Sequence, residues 1–280
     1  MRFDANVSIL FPDVPPLERP AAAAALGFDA IELWWPFETE VPAAAEVDRL
    51  VDAIGSAGTS LVALNLTSGD AAKGEHGLVA LPGQRQRFLD SLDVAIELAG
   101  RTGCRMFNAL YGNPPEAERP ELVTETAIEN LATAVRRGRD TGVTIAVEAL
   151  NAIDFPRYGL HLVETAVTLI ERTLEATSEP VGLLFDIYHV QRAEGDVIRR
   201  IEAFASRVAH VQIADAPGRF CPGTGEIAFE RVLPALEAAG YDGYVGLESR
   251  PSANPDETFT WLPRERRSTR GAPQRWATEA

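Results

Sequence analysis

The chain has 280 residues, enough for one large α/β domain or two small ones, and 46% of them are hydrophobic, so a sizeable core is possible. The formal charge of −15 and the pI of about 4.8 argue against a nucleic-acid-binding protein, which would need a basic face. Two distant cysteines, Cys104 and Cys221, favour a reducing compartment over a disulfide framework. We find no signal-peptide core and no apolar window of about 18 residues that could span a membrane, so we expect a cytoplasmic protein.

Short apolar runs alternate with longer amphipathic segments along the chain, which is typical of βαβ units. The pattern predicts strands at residues 3–10, 30–35, 60–66, 105–110, 144–148, 181–187, 208–214 and 244–248. Between them it predicts helices at residues 17–26, 43–57, 85–102, 120–140, 162–176, 197–205 and 229–239. Gly27 and Gly58 follow the first two helices, as glycine often does after the last helical residue.

Eight strand–helix repeats predict a (β/α)8 TIM barrel, in the α/β class, over residues 1–252. A doubly wound open sheet is the alternative, but no GxGxxG opens a helix after the first strand, so a dinucleotide site lacks support. Residues 253–280 hold five arginines and few aliphatic residues. We expect this segment to be a capping tail that is partly irregular or disordered.

Four consecutive strands carry an oxygen-bearing side chain at their carboxyl ends, where the chemistry of such barrels occurs. These residues are Glu148, Asp186, Gln212 and Glu248. Three carboxylates in one barrel mouth would repel one another, and a hard divalent cation removes that repulsion. Oxygen ligands favour Mg²⁺ or Mn²⁺ over Zn²⁺. Any one of these residues could instead be a helix cap or an ion-pair partner.

Other polar residues near the strand ends can each be interpreted in two ways. His189 follows Asp186 on the rim and is either functional or a solvated loop residue. His210 shares the barrel-facing side with Gln212 and is better explained as a buried, hydrogen-bonded residue than as a ligand. Glu226 is either a partner of the site or a first-turn helix carboxylate. An aromatic cluster after the second strand could line a substrate pocket or a homo-oligomer interface; it comprises Trp34, Trp35 and Phe37.

Several segments resemble the hydroxypyruvate isomerase family, which belongs to the xylose-isomerase-like barrel superfamily. They read EALNAIDFPRYGLH, FDIYHVQRAEGD, HVQIADAPGRFCPGTGEI and YVGLESRP. The resemblance implies a divalent metal held by Glu148, Asp186, Gln212 and Glu248, with the two glutamates as the acid/base pair. It also implies that Asp154 and His189 contact substrate oxygens, and it makes Arg219 a further candidate.

The chain departs from the family pattern where cations usually stand. His76 occupies a position that is usually arginine, Asn113 one that is often lysine, and the E-Y-K-P motif reads Glu248–Pro251 with Arg250 in place of the lysine. A 2-oxo acid substrate needs a fixed cation for its carboxylate. Lys73 or Arg250 could take this role, so we include Lys73 and His76 among the candidate substrate contacts.

The working hypothesis is an aldose–ketose type isomerisation of a small-molecule substrate, hydroxypyruvate to tartronate semialdehyde or a related 2-oxo acid. A glutamate removes a proton to give an enediolate, and a proton returns to the adjacent carbon. A sugar or keto-polyol epimerase or isomerase acting on an uncharged substrate is the first alternative. A metal-binding or sugar-binding barrel without turnover is the second. A repair endonuclease would need a basic groove and a multi-zinc site rich in histidine, which four scattered histidines do not support.

Overall fold

The computed structural model describes residues 1–252 and 258–270, and its centre is a closed barrel of eight parallel strands in sequence order. The strands are β1 (Arg2–Asn6), β2 (Ala30–Leu33), β3 (Ser60–Asn65), β4 (Met106–Asn108), β5 (Thr144–Glu148), β6 (Gly182–Asp186), β7 (Val208–Ile213) and β8 (Tyr244–Leu247). β1 pairs with both β2 and β8, which closes the barrel. The predicted fold class is therefore confirmed.

The described residues contain nine α-helices, all of them in the crossovers between strands. They are α1 (Val7–Leu10), α2 (Arg19–Ala25), α3 (Ala44–Ser56), α4 (Arg85–Thr102), α5 (Pro120–Gly138), α6 (Val163–Thr177), α7 (Ile187–Ala193), α8 (Val197–Phe204) and α9 (Phe229–Ala238). Parallel neighbours require such crossovers, since a tight hairpin reverses the chain direction. In the described part of the chain, no helix has the length and apolar character needed to cross a membrane.

Two short helices replace parts of the predicted pattern. The first strand ends at Asn6 and not at residue 10, because the Asn6 side chain accepts a hydrogen bond from the backbone N–H of Ser8 and caps α1. Asp186 caps α7 in the same way, by accepting from the backbone N–H of Tyr188 at 2.8 Å. A capping side chain after an apolar strand favours the start of a helix over continuation of the strand. Hydrophobic periodicity does not reveal this competition.

The inside of the barrel is polar at one end and mostly apolar below it. The last inward-facing positions of the strands are Asn6, Glu32, Asn65, Asn108, Glu148, Asp186 and Gln212, with Glu248 directly after β8. One layer deeper, Ala63, Met106, Ala146 and Leu184 pack together. Side chains of a strand alternate between its two faces, so residues two apart along one strand share the interior. This alternation concentrates the polar groups at the carboxyl-end mouth.

The described part of the C-terminal segment, residues 258–270, packs against the opposite end of the barrel. Phe259 and Leu262 are buried, the Trp261 ring lies edge-on to Phe3 with centroids 5.8 Å apart, and Arg267 donates to the carbonyl of Leu26 at 3.0 Å. The segment is irregular, but it covers apolar surface. The remainder of the predicted tail, residues 253–257 and 271–280, lies outside the described residues, so partial disorder there stays a prediction.

We expect Leu262→Ala to destabilise the protein by about 3 kcal/mol, because truncation of this fully buried side chain leaves a cavity. The midpoint of urea denaturation measures the effect. Leu174→Ala is the matched control, since Leu174 is 39% exposed on α6, and its loss should stay below about 1 kcal/mol. Equal losses in the two variants would show that the segment does not act as a cap.

Candidate active site at the mouth of the barrel

The four predicted metal ligands lie on neighbouring strands at the carboxyl end of the barrel. Glu148 ends β5, Asp186 ends β6, Gln212 lies near the end of β7, and Glu248 directly follows β8. Asp186 and Gln212 are register partners. All four side chains are buried. Because parallel strands end at the same edge of the sheet, residues far apart in sequence are brought to one place.

The carboxylates lie close together in two groups that share Asp186. Glu148, Asp186 and His189 each offer a ligand atom within 4.8 Å of the others. One guanidinium nitrogen of Arg219 links the remaining carboxylate, with Nη2 lying 3.4 Å from Oδ2 of Asp186 and 2.5 Å from Oε2 of Glu248. The arginine thus places a positive charge among the three acidic groups.

Neutral donors from distant strands fix the two glutamates. Asn108 at the end of β4 donates to Oε2 of Glu148 at 2.7 Å. Asn6 at the end of β1 and the indole N–H of Trp34 donate to Oε1 of Glu248, at 2.8 and 2.6 Å. Each glutamate therefore has one oxygen held by uncharged groups, which restricts the direction of its second oxygen.

Burial raises the pKa of each carboxyl group at this site. The pKa of Glu148 lies well above its ordinary value because of burial and then the charges of Glu248 and Asp186. Burial raises the pKa of Glu248 to about 8, although Arg219 opposes the shift. Burial also raises the pKa of Asp186, again against Arg219. Ionised together, the three carboxylates would carry more negative charge than the one arginine balances, and burial and mutual repulsion therefore favour their protonated forms.

The donor set fits a hard divalent cation. Oxygen atoms from three carboxylates and one amide are the ligands that Mg²⁺ and Mn²⁺ favour. The Oε1 atom of Gln212 is buried and has no hydrogen-bond partner among residues 1–252 and 258–270, while its Nε2 donates to Glu32 at 2.8 Å. Because Nε2 faces Glu32, the amide oxygen points away from Glu32 and remains available as an acceptor. A buried acceptor without a partner is costly unless a cation or a donor meets it.

His189 has a defined tautomer. Its Nδ1 lies 3.2 Å from the backbone N–H of Asn151, which can only donate, and 2.8 Å from the Nδ2 of the same residue. Nδ1 must accept, so the proton of the neutral ring is on Nε2. Burial lowers the pKa of His189 well below its ordinary value, and Arg219 adds to the shift. The Nε2–H, which has no hydrogen-bond partner within the described chain, is a donor available to a substrate oxygen.

Asp154, a predicted substrate contact, belongs to the network behind His189. Its Oδ2 accepts from the hydroxyl of Tyr188 at 2.6 Å and from Nδ2 of Asn151 at 3.0 Å. The carboxylate thereby orients the asparagine that faces the histidine ring. Asp154 does not line the cavity described below.

The loop that carries Arg219 is held by Asp215, two residues after the end of β7. The Asp215 carboxylate accepts backbone N–H groups of Gly223, Gly225 and Ile227 at 2.8 to 3.0 Å. A Cβ at Gly225 would collide with the carbonyl of Ala216. Arg219 itself has a φ of 59°, a left-handed conformation that costs roughly 1–2 kcal/mol for a residue with a side chain. The loop therefore contains an unfavourable backbone conformation, which points this arginine inward.

A cavity of about 320 Å³ opens above the carboxylates. Its walls combine acidic, cationic and apolar groups, and they include Trp34, Trp35, His76, Leu150, Phe155 and His189. The ring of Phe155 lies between His76 and His189, with centroid distances of 5.3 and 5.6 Å. Such a cavity is at the small end of ligand pockets, and its single cationic side chain among the lining residues is Arg219.

Three predicted residues lie away from this cavity. Lys73 is largely exposed and pairs with Asp70 at 3.0 Å. Glu226 accepts from Gln191 on the outer side of the loop at 3.0 Å. His210 lies deeper in the barrel, where its Nε2 is 2.8 Å from Oε2 of Glu32, in agreement with the expectation of a buried, hydrogen-bonded residue. Asn113, at the position that is often lysine in the family, donates to the carbonyl of Gly74.

Sequence reasoning missed the residues that support the site from distant segments. They are Asn6, Glu32, Asn108, Tyr188 and Asp215. Asn6 and Asn108 end strands and Glu32 lies one residue before the end of β2, so the rule that selected Glu148 could have found them if it had been applied to the first half of the chain. No spacing signal marks Tyr188 or Asp215.

Comparison with known proteins agrees with this architecture. The model of the xylose isomerase-like TIM barrel family matches residues 20–265. A Streptomyces coelicolor relative, provisionally named a hydroxypyruvate isomerase, is 43% identical over 96% of this chain and 98% of its own. Escherichia coli hydroxypyruvate isomerase is 31% identical over 94% and 98%. The 2-oxo-tetronate isomerase of Cupriavidus necator is 35% identical over 93% and 97%.

A solved structure is similar over almost the whole chain. The structure titled AP endonuclease, family 2, from Brucella melitensis is 33% identical, with a TM-score of 0.84 over 93% of this chain and 97% of that one. The closed barrel, the full-length relatives and the matching family model lead to one conclusion. The chain belongs to the hydroxypyruvate isomerase family within the xylose isomerase-like TIM barrels, and it is an isomerase.

Proposed function

We propose that this enzyme is a metal-dependent isomerase that converts hydroxypyruvate, or a related small 2-oxo acid, to the corresponding aldehyde through an enediolate. The meeting of Glu148, Asp186 and His189 at one buried place, where Arg219 joins Asp186 to Glu248, carries the proposal. Relatives named hydroxypyruvate isomerase and 2-oxo-tetronate isomerase over nearly their full lengths support the substrate class.

Glu148, Asp186, Gln212 and Glu248 would hold the divalent cation. When bound, it would polarise the substrate carbonyl and acidify the neighbouring C–H. The protein supplies the proton transfers. Glu148 on β5 and Glu248 after β8 reach the mouth from different sides of the barrel, so one can remove a proton from carbon while the other faces the adjacent carbon. Burial raises the pKa of both glutamates, to about 8 for Glu248, which is the direction that proton exchange near neutral pH requires of a carboxyl group.

His189 and Arg219 would orient the substrate. The Nε2–H of His189 would donate to a substrate oxygen while the ring stays neutral, because Nδ1 is already occupied by Asn151. Arg219 would bind the substrate carboxylate with its planar guanidinium, which matches two carboxylate oxygens. The guanidinium carbon lies 5.1 Å from the centre of the Tyr188 ring, and this stacking limits its movement. Trp34, Leu150 and Phe155 would exclude water from the enediolate.

An uncharged sugar or polyol substrate is the second candidate. It is favoured by the cavity wall, where His76 stands near Phe155 and Arg219 is the cation among the lining residues. If Arg219 remains on the acidic groups, no fixed cation of the cavity wall is left for a carboxylate. The two candidates therefore differ in whether Arg219 contacts substrate.

An assay panel separates the candidates. Hydroxypyruvate, 2-oxo-tetronate and neutral ketoses are incubated with the enzyme in Mg²⁺, in Mn²⁺ and after treatment with a chelator. We expect turnover of a 2-oxo acid that falls to background with the chelator and returns when either metal is added back, because the cation completes the acidic site. The products are identified by NMR.

Turnover of neutral ketoses alone would favour the second candidate. Full turnover of a 2-oxo acid after chelation, with no metal in the protein by mass spectrometry, would contradict the proposal that a metal is required. Arg219→Gln adds a further check on the binding mode. If Arg219 binds the carboxylate, this variant should raise the KM for a 2-oxo acid more than it changes the KM for any neutral compound.

A further inference from the structure

A second group of ionisable side chains lies inside the barrel beneath the candidate active site, with Glu32 from the upper layer of side chains and Asp4 and His210 from the layer below it. Asp4 on β1, Glu32 on β2 and His210 on β7 are all buried, and each offers a ligand atom within 4.8 Å of the others. The His210 Nε2 lies 2.8 Å from Oε2 of Glu32 and 4.0 Å from Oδ2 of Asp4. This group shares no residue with the predicted ligands at the mouth.

A gap in the packing lets these side chains meet. Asp4 is the register partner of Gly246 on β8, which lies between β1 and β7 in the barrel. Gly246 has no side chain, and a Cβ there would be 2.7 to 2.8 Å from the Glu32 carboxylate. The other side of the same layer is apolar, formed by residues such as Ala63, Met106 and Leu184. The glycine therefore opens a polar half-layer beside an apolar one.

One carboxylate of the cluster lacks a partner for its charge. Both oxygens of Asp4 are buried and have no hydrogen-bond partner among the described residues. Within residues 1–252 and 258–270, His210 is the one basic side chain within 4.0 Å of either carboxylate. An isolated carboxylate at full burial costs several kcal/mol.

A proton alone does not resolve the missing partners. If Asp4 were protonated, its O–H would be a buried donor, yet neither of its oxygens makes a hydrogen bond within the described part of the chain. A buried polar group that stays unpaired still costs roughly 1–3 kcal/mol. A cation at bonding distance would meet Asp4, Glu32 and the neutral imidazole together, and it would also remove the charge repulsion.

We propose that Asp4, Glu32 and His210 form a second divalent-cation site, below the first and separate from it. One imidazole and two carboxylates suit Zn²⁺, Mn²⁺ or Fe²⁺ better than Mg²⁺. Bonds of about 2.0–2.2 Å require only small movements of side chains whose ligand atoms are already within 4.8 Å.

The second site acts on the first through Glu32. Its Oε2 faces His210, and its Oε1 accepts from Nε2 of Gln212 at 2.8 Å. A cation that fixes the Glu32 carboxylate also fixes the Gln212 amide, with Oε1 left free. The lower cation is therefore structural, and it orients one ligand of the upper site in the manner of outer-shell partners.

Metal stoichiometry tests this inference without the use of turnover. Protein stripped with a chelator is titrated with Mn²⁺ or with Zn²⁺ by calorimetry, and bound metal is counted by mass spectrometry after gel filtration. We expect two ions per chain in the wild type, one in Asp4→Asn, one in Asp186→Asn and none in the double variant. Circular dichroism establishes that each variant is folded.

Anomalous diffraction from wild-type crystals soaked in Zn²⁺ provides a second measurement, which stands even if Asp4→Asn does not fold. A peak between Asp4, Glu32 and His210 supports the site. A single ion in the wild type that is lost in Asp186→Asn and kept in Asp4→Asn would overturn it, and so would the absence of an anomalous peak at these side chains. Either negative result would mean that a proton balances Asp4, and it would leave the proposed reaction at the mouth unaffected.

Discussion

Glu148→Gln is expected to lower kcat by about 10³-fold, within the range of roughly 10²–10⁴ that acid–base catalysis contributes. In the proposed mechanism Glu148 exchanges a proton with substrate carbon and also holds the cation, and an amide can do neither well. The substitution keeps the size of the side chain and an oxygen that can accept from Asn108, as Glu148 does at 2.7 Å. The measurement is steady-state turnover at saturating Mn²⁺, with bound metal counted in the same preparation.

The fold should survive this change. Glu148 is a buried carboxylate whose pKa is raised by burial and by neighbouring acids, so its replacement by a neutral amide removes a repulsive charge from the metal-free protein. The melting temperature in the presence of a chelator should therefore be unchanged or higher. Glu171→Gln is the matched control, because Glu171 is about half exposed and pairs with Arg207 on the surface; its turnover should stay within twofold. Near wild-type turnover in Glu148→Gln would remove this residue from the acid/base pair.

The prediction of the barrel fold rests on the alternation of strands and helices along the sequence. Buried parallel strands such as residues 144–148 are apolar runs that end in one polar residue, and the helices between them show the 3.6-residue period. Because all strands of a barrel end at the same rim, strand-end positions alone brought Glu148, Asp186, Gln212 and Glu248 together. Strand ends can be located without knowledge of loop structure, so their positions identify the residues at the centre of the site.

The surrounding network could not be derived in the same way. Asn6 and Trp34 reach Glu248 across more than two hundred residues of sequence, and no local pattern encodes such a contact. The left-handed backbone at Arg219 and the Asp215 contacts that hold its loop depend on tertiary packing. Asn6 and Asp186 each have two roles, as helix caps and as neighbours of the site. Their capping role ended the strands earlier than hydrophobicity indicated.

The position of Arg219 predicts a stability change that depends on metal. Its Nη2 contacts Asp186 and Glu248, where a cation at the mouth would also interact. Arg219→Gln leaves these buried carboxylates without a countercharge in the metal-free protein. We expect its melting temperature to fall by roughly 5–10 °C in a chelator, since loss of one partner of a buried ion pair costs about 3 kcal/mol or more. At saturating Mn²⁺ the difference from the wild type should shrink to a few degrees, because the cation takes over the charge balance.

Arg200→Gln distinguishes this exchange from a general loss of packing. Arg200 is also largely buried and pairs with Glu194 at 3.0 Å, but its partners lie outside the candidate site. Its loss should lower the melting temperature by the same amount with and without Mn²⁺. A metal-independent loss in Arg219→Gln as well would mean that the arginine serves the loop and not the acidic site. A loss seen only without metal would mean that the guanidinium and the cation balance the same carboxylates, so that metal loading frees the arginine for the substrate carboxylate.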